Sequence, residues 1–169
     1  MEPGISPHSK DALFRINRDL RFSKDKTPYH TLLKAGFAVG GKKSVYPGYY
    51  LGISAEKIHV GGGLFQLRSA DLKKVRSLIA KETDAFLQII NQPSFVSSFG
   101  ALKGEKSKRL DPTVKASLEK TPFVANKQFY AMKEIVLNDW LNSALLHNEI
   151  MSYFKEISPL NQFLKKAFL

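Results

Sequence analysis

Tyr49-Tyr50-Leu51-Gly52-Ile53, then Ser54 to Lys57, then Ile58-His59-Val60, is the stretch whose reading decides the fold. The first five residues are aromatic and β-branched apart from Leu51 and Gly52, a composition that suits a pleated, half-buried surface. The four residues that follow are short and polar enough for a turn. Two strands so joined predict an antiparallel hairpin. Downstream, Gly61-Gly62-Gly63 is expected to interrupt the second strand, with Leu64 to Leu67 as its continuation.

Working outward, Ser69 predicts a helix cap with Asp71 in the first turn, and Leu72, Val75, Leu78 and Ile79 share one helical face. Thr83-Asp84 predicts the cap of a second helix carrying Phe86, Leu87 and Ile90, and Asn91-Gln92-Pro93 ends it. Phe95 to Phe99 reads as a short strand, Pro112 to Lys120 as a short helix and Phe123 to Phe129 as the last strand. Asp139 to Glu156 reads as a helix with Trp140, Leu141, Ala144, Leu145, Met151 and Phe154 mostly inward. Ser158-Pro159 predicts the start of a separate terminal helix, with Leu160, Phe163, Leu164 and Ala167 as its apolar stripe.

Upstream of the hairpin, Gly40 to Lys43 and Tyr46-Pro47-Gly48 read as a loop, and Tyr29 to Val39 as a strand. Leu13 to Asn17 alternates, which predicts a short strand. Residues 1–11 hold two Pro, a Gly and two Ser and are expected to form an irregular leader. Strands gathered in two places without βαβ alternation predict an α+β fold: one domain over 12–169, with a mainly antiparallel sheet packed by helices.

Composition narrows the function classes. The 169 residues suffice for a sizeable core without staples. Cysteine is absent, which excludes disulfides, thiol catalysis and thiolate-ligated zinc, and fits a reducing compartment. Met1 to Pro7 has no apolar run behind a basic start, so no secretory signal is expected. Nor is there an apolar stretch of about 18 residues to span a membrane. A cytoplasmic protein without membrane attachment is the expectation. The net charge of +11 attracts nucleic acid or small acidic molecules. From Gly100 to Lys133 eight Lys or Arg face three Asp or Glu, a net +5, densest over Lys103 to Arg109. Charge runs are more often solvated loops than sites.

Most motifs resolve to ordinary structure. Gly36 to Lys43 nearly matches the phosphate-binding pattern GxxxxGK[ST], but Lys43 stands where Ser or Thr is needed. Tyr46-Pro47-Gly48 follows where a helix should begin, so it is rejected as a nucleotide loop. The glycine triplet reads as a bulge or bend before it reads as a ligand approach. His8, His30, His59 and His147 lack metal-ligand spacing. No GxSxG or HExxH is present, and no cofactor is expected.

One stretch stands apart. Arg15 to Tyr29 holds Arg15, Arg18, Arg21, Lys24 and Lys26 with Asp19 and Asp25. Its cations suit phosphate or carboxylate, with Tyr29 and Tyr50 as an aromatic wall. The alternative is an ion-pair network pinning a long connection to the sheet, and both readings stand.

At this stretch the chain resembles the family catalogued as domain of unknown function 2461. The resemblance is carried by Phe14-Arg15-Ile16, Arg18-Asp19 and Arg21 to Tyr29. It continues through Gly48-Tyr49-Tyr50-Leu51, Val60 to Gly63 and the Leu72/Arg76/Ile79 helix, then Leu102 to Glu105 with Lys108-Arg109, and Pro159-Leu160 with Phe163-Leu164. It implies an α+β domain and transfers no catalytic residue. Members usually begin with a helical segment rich in Trp, Phe and Asn, whereas eleven residues precede Ala12 here. The expected consequence is exposed apolar surface that favours a homodimer or another partner. Position 30, usually basic, is His30.

Three functions follow as expectations. The first is a binding domain for a small anion, held by Arg15, Arg18, Asp19, Arg21, Lys24, Asp25, Lys26, Tyr29 and Tyr50. The second is nucleic-acid or polyanion binding through Lys103 to Arg109. The third is an enzyme with Asp19 or Asp25 as general base or metal ligand, which requires that carboxylate to escape its cationic neighbours.

Overall fold

The computed structural model describes residues 4–6, 8–19, 21–22, 24–137 and 144–169. At its centre is the predicted hairpin. Strand β2, Gly48–Ile53, pairs antiparallel with β3, Lys57–Leu64, from Gly48↔Gly63 to Ile53↔Ile58. Ser54 closes the turn: its amide donates to the Lys57 carbonyl at 2.9 Å and its Oγ accepts from the Lys57 amide at 3.0 Å. Such local side-chain bonds are why serine suits a turn. Strand β1, Leu33–Phe37, pairs with β2, and β4, Phe129–Val136, pairs with β3, both antiparallel. The sheet order β1-β2-β3-β4 makes an antiparallel α+β fold, as the sequence predicts.

Alternation assigns the two faces of the sheet. Ala35, Leu51, Ile58, Val60, Leu64, Phe129, Ala131 and Ile135 share the face beneath the helices. Lys34, Tyr50, His59, Met132 and Glu134 lie on the other. Helices α2, Ser69–Lys81, α3, Thr83–Ile90, and α4, Pro93–Phe99, follow β3 and bury Val75, Ile79, Phe86, Ile90, Phe95 and Phe99 in one apolar cluster. Helix α6, Ala144–Lys165, closes that cluster with Ile157, Leu160, Phe163 and Leu164. Its first half covers Ile58, Val60, Ile135 and Leu137 with Leu146, Ile150 and Phe154. No helix among the described residues is long and apolar enough to cross a membrane.

Several local expectations are corrected. The triple glycine does not interrupt β3. The strand runs through it, because neighbouring backbone occupies the space a Cβ would need: one on Gly61 would lie 2.0 Å from the Ala131 carbonyl oxygen. Gly63 also has φ +120°, a conformation costly for any other residue. Phe95 to Phe99 is helical, with Pro93 at the start of α4, where its missing N–H leaves no bond unmade. The Thr121-Pro122 step opens a 3₁₀ turn, Pro122–Ala125, so the last strand begins only at Phe129. Pro159 lies inside α6 and does not divide it. Its side is exposed, so water can satisfy the carbonyl its ring leaves without a donor.

Ser69 is not the cap of α2; Arg68 occupies that position, and its Nε pairs with Asp71 at 2.8 Å. Thr83 Oγ1 bonds back to the Ile79 and Ala80 carbonyls at 2.9 and 3.2 Å, joining α3 to α2 in place of capping it. The leader carries one helical turn, α1, Ser9–Ala12, and Ile5 bridges to Val39. Of the residues expected inward near the start of α6, Trp140 and Leu141 lie outside the described residues, and Leu145 is exposed.

Candidate functional site

The described residues between 13 and 30 form an arm off the β1 edge. Leu13 bridges to Ala35 and Asn17 to Tyr29. The Phe14 amide donates to the Lys34 carbonyl, the Arg18 amide to Pro28 and the His30 amide to Ile16, at 2.9 to 3.0 Å. These are scattered bridges and not the strand expected over Leu13 to Asn17. Leu13, Phe14 and Ile16 are all exposed; with little apolar area to bury, alternation gains little and the ladder stays short.

The tip of the arm is clasped by its own charges. Arg18 Nη1 donates to Asp25 Oδ2 and to the Thr27 carbonyl. Asp25 also accepts from the Thr27 hydroxyl and amide. Arg21 approaches Asp19 side-on, with Nε to Oδ1 at 3.0 Å and Nη2 to Oδ2 at 2.6 Å. Arg21 holds the Asp19 carboxyl below its usual range. The Thr27 donors, then Arg18, hold that of Asp25 well below it. Depressed carboxyls are poor bases, so the geometry offers no support for Asp19 or Asp25 in general-base chemistry.

Arg15, Lys24, Lys26 and Tyr29 lie exposed on the same arm. Tyr50 lies instead on the far face of β2, its hydroxyl over Gly52, and burial pushes its pKa up. The arm thus joins Arg18 with Asp25 and Asp19 with Arg21. Gly36 to Lys43 runs from β1 into a turn, Gly41 N–H to Ala38 carbonyl at 2.9 Å, and Lys42 Nζ caps the Lys10 carbonyl at 2.6 Å.

A second cationic place lies on the helical side. Lys73, Arg76 and Ser77 of α2, Arg109, Leu110 and Asp111 of the loop after α4, and Val114 of α5, Pro112–Lys115, line a cavity of about 330 Å³. That volume is at the small end of ligand pockets. None of the nine residues expected to form the site lines it.

The loop that contributes Arg109 is not free in solvent. The Lys103 amide bonds the Tyr130 carbonyl and the Ser107 amide that of Ala125, each at 2.7 Å. The Glu105 amide donates to Gln128 Oε1 at 2.8 Å. Backbone is therefore pinned beside β4 while the side chains of Lys103, Lys106, Lys108 and Arg109 are exposed, that of Lys103 reaching back to the Met132 carbonyl at 3.3 Å.

Arg76 is the unusual member. Position 76 falls one turn after Leu72 and beside Val75 and Ile79, so the helical period carries its side chain to the edge of the core. It is 8% exposed. Its Nε donates to the Asn126 carbonyl at 3.2 Å. Its Nη2 donates to Ser107 Oγ at 2.6 Å and to the Asn126 and Ala125 carbonyls at 2.9 and 3.1 Å. All its described partners are neutral; among the described residues no carboxylate pairs with it. Burial lowers its pKa, the direction expected for a desolvated cation. The sequence signal was an arginine inside the apolar stripe of a helix, which charge density alone passes over.

No curated protein and no solved structure matches the chain. A family model described as conserved hypothetical protein (DUF2461) matches residues 1–163, nearly the whole of the 169-residue chain, and the chain belongs to that family.

Proposed function

We propose that the protein is a binding domain for a small anion, and that the anion sits in the Lys73–Arg76–Arg109 cavity and not on the Arg15–Tyr29 arm. The observation that carries this is Arg76, a buried cation that no carboxylate pairs with among the described residues, on the wall of a ligand-sized space. A buried charge held by neutral dipoles alone is unfavourable unless something further compensates it. An anion in the cavity supplies that compensation, with exposed Lys73 and Arg109 free to follow it in. On the arm Arg18 and Arg21 already hold Asp25 and Asp19.

Thermal unfolding in low-salt buffer with inorganic phosphate, citrate and nucleotides tests the reading. The midpoint is expected to rise with anion concentration, since a ligand bound only to the folded state stabilises it. The rise should shrink in Lys73→Ala and Arg109→Ala, both surface changes. No rise with any of these anions overturns it.

The second reading is a polyanion, favoured by the pinned ridge of Lys103, Lys106, Lys108 and Arg109 beside the cavity. It predicts binding of a duplex or single-strand oligonucleotide that weakens steeply with salt through counterion release. Retention on heparin equal to that of a control of the same net charge argues it away.

A further inference from the structure

We infer that the cavity takes a dianion carried at one end of a small, partly apolar molecule, in chemical class a phosphate monoester. This rests on the anion-binding reading above and specifies its ligand.

Charge is the first argument. Among the described residues Lys73, Arg76 and Arg109 line the cavity against one carboxylate, that of Asp111, a surplus of two positive charges. A phosphate monoester carries about −1.5 to −2 near neutral pH and so balances the site; a monocarboxylate or sulfate ester leaves it half compensated.

The geometry of Arg76 is the second. Its Nε and Nη2 edge, the one that would grip a carboxylate side-on, is occupied by the Asn126 and Ala125 carbonyls and Ser107 Oγ. Those bonds fix the guanidinium plane. Nη1 has no partner among the described residues, and it is not one of the buried atoms left unsatisfied, which are Thr121 Oγ1, Glu149 Oε2 and Asn161 Oδ1. It therefore keeps access to solvent, and Arg76 lines the cavity. The ligand meets one end-on donor from a rigid arginine. A flat carboxylate gains nothing bidentate from this arrangement, whereas a tetrahedral group can offer separate oxygens to Arg76, Lys73 and Arg109.

The third argument is the remaining lining. Leu110 and Val114 give the cavity an apolar wall, and Ser77 a hydroxyl. Bare phosphate leaves that wall unused, so an ester with a compact apolar group should bind more tightly than phosphate itself.

Isothermal titration of the full chain with phenyl phosphate, phenyl sulfate, inorganic phosphate and succinate tests this. Phenyl phosphate should bind about tenfold more tightly than phenyl sulfate, its singly charged counterpart, and severalfold more tightly than inorganic phosphate. Its affinity should rise between pH 5 and pH 7.5 as the monoester loses its second proton near pH 6, while that of phenyl sulfate stays level. Arg109→Ala should weaken phenyl phosphate about tenfold, and Arg21→Ala, an equal change of charge on the arm, should leave it unchanged. Equal binding of the two phenyl esters, or tightest binding of succinate, overturns the dianionic monoester and leaves the anion-binding reading standing. Binding of none of the four overturns both.

Discussion

The arm and the cavity each present arginines, yet the chain treats them in opposite ways. On the arm Arg18 and Arg21 are matched by Asp25 and Asp19 within a few residues, in the open, where water screens what the pairs gain. At the cavity Arg76 is largely buried and bonded to carbonyls and a hydroxyl, and among the described residues no carboxylate pairs with it. Density of charge marks the first place; uncompensated burial marks the second. The second is the better sign of a ligand, because Arg18 and Arg21 have already found in their aspartates what an anion would offer. A lone buried cation has not.

The widest test of that contrast is Arg76→Ala. It removes the donor for the Asn126 and Ala125 carbonyls and Ser107 Oγ, and the expected loss is about 3 kcal/mol in urea unfolding. The rise of the unfolding midpoint with phosphate should vanish with it. If stability falls while phosphate still stabilises as in the parent, Arg76 is a brace and the cavity is not its site.

Ser77→Asp adds a second carboxylate to the lining, beside that of Asp111, and so reduces its positive surplus. Phosphate affinity should drop about 30-fold, roughly 2 kcal/mol, with unfolding little changed because Ser77 is exposed. Unaltered affinity in a titration would show that the charge surplus there is irrelevant. Arg109→Ala should cost about tenfold in affinity, or about 1.4 kcal/mol, and Lys73→Ala somewhat less, a flexible point charge being the poorer phosphate ligand.

The smallest effects belong to the arm. Asp19→Asn and Arg21→Ala should leave both the unfolding midpoint and phosphate binding where they are. Its pH dependence has a definite sign. The carboxyls of Asp19 and Asp25 are depressed in the folded chain. Whatever they contribute is therefore present above the ordinary aspartate pKa near 3.9 and lost as pH falls below it. The Thr27 amide, bonded to Asp25, should keep its NMR shift from pH 8 to about pH 5 and move only in stronger acid. Movement near pH 6 would break the assignment of the clasp.

The sheet was legible because its signals are local. Aromatic and β-branched residues from Tyr49 to Ile53, a serine turn and a second apolar run leave little freedom, and the register at Leu51↔Val60 follows from alternation. Phe95 to Phe99 and Phe123 to Phe129 were misread for the opposite reason. Their apolar density fits either period, and a preceding proline settled the backbone in each case. Pro159 misled because a proline facing water disturbs a helix less than a buried one. For the site, the density of the charged stretch includes Arg18 and Arg21, which their own aspartates neutralise, while Arg76 sits among Leu72, Val75 and Ile79 as one cation in an apolar face. Its meaning depends on Asn126 and Ser107, which are distant in sequence and close only once the loop is pinned beside β4.

The pairing of β3 with β4 carries one more consequence, in the order of assembly. Strands β1, β2 and β3 follow one another through short connections, so their pairing closes only small loops. Strand β4 must find Leu64 from Phe129, across everything that forms α2 to α5. Long closures slow folding. The three-stranded meander can therefore form while the helical insert is still incomplete, and the edge of β3 waits unpaired until Phe129 arrives. The triple glycine lies on that waiting edge. Glycine there weakens early, mistaken pairing as well as permitting the tight final one, so the same three residues that let the sheet close also delay its closing on the wrong partner.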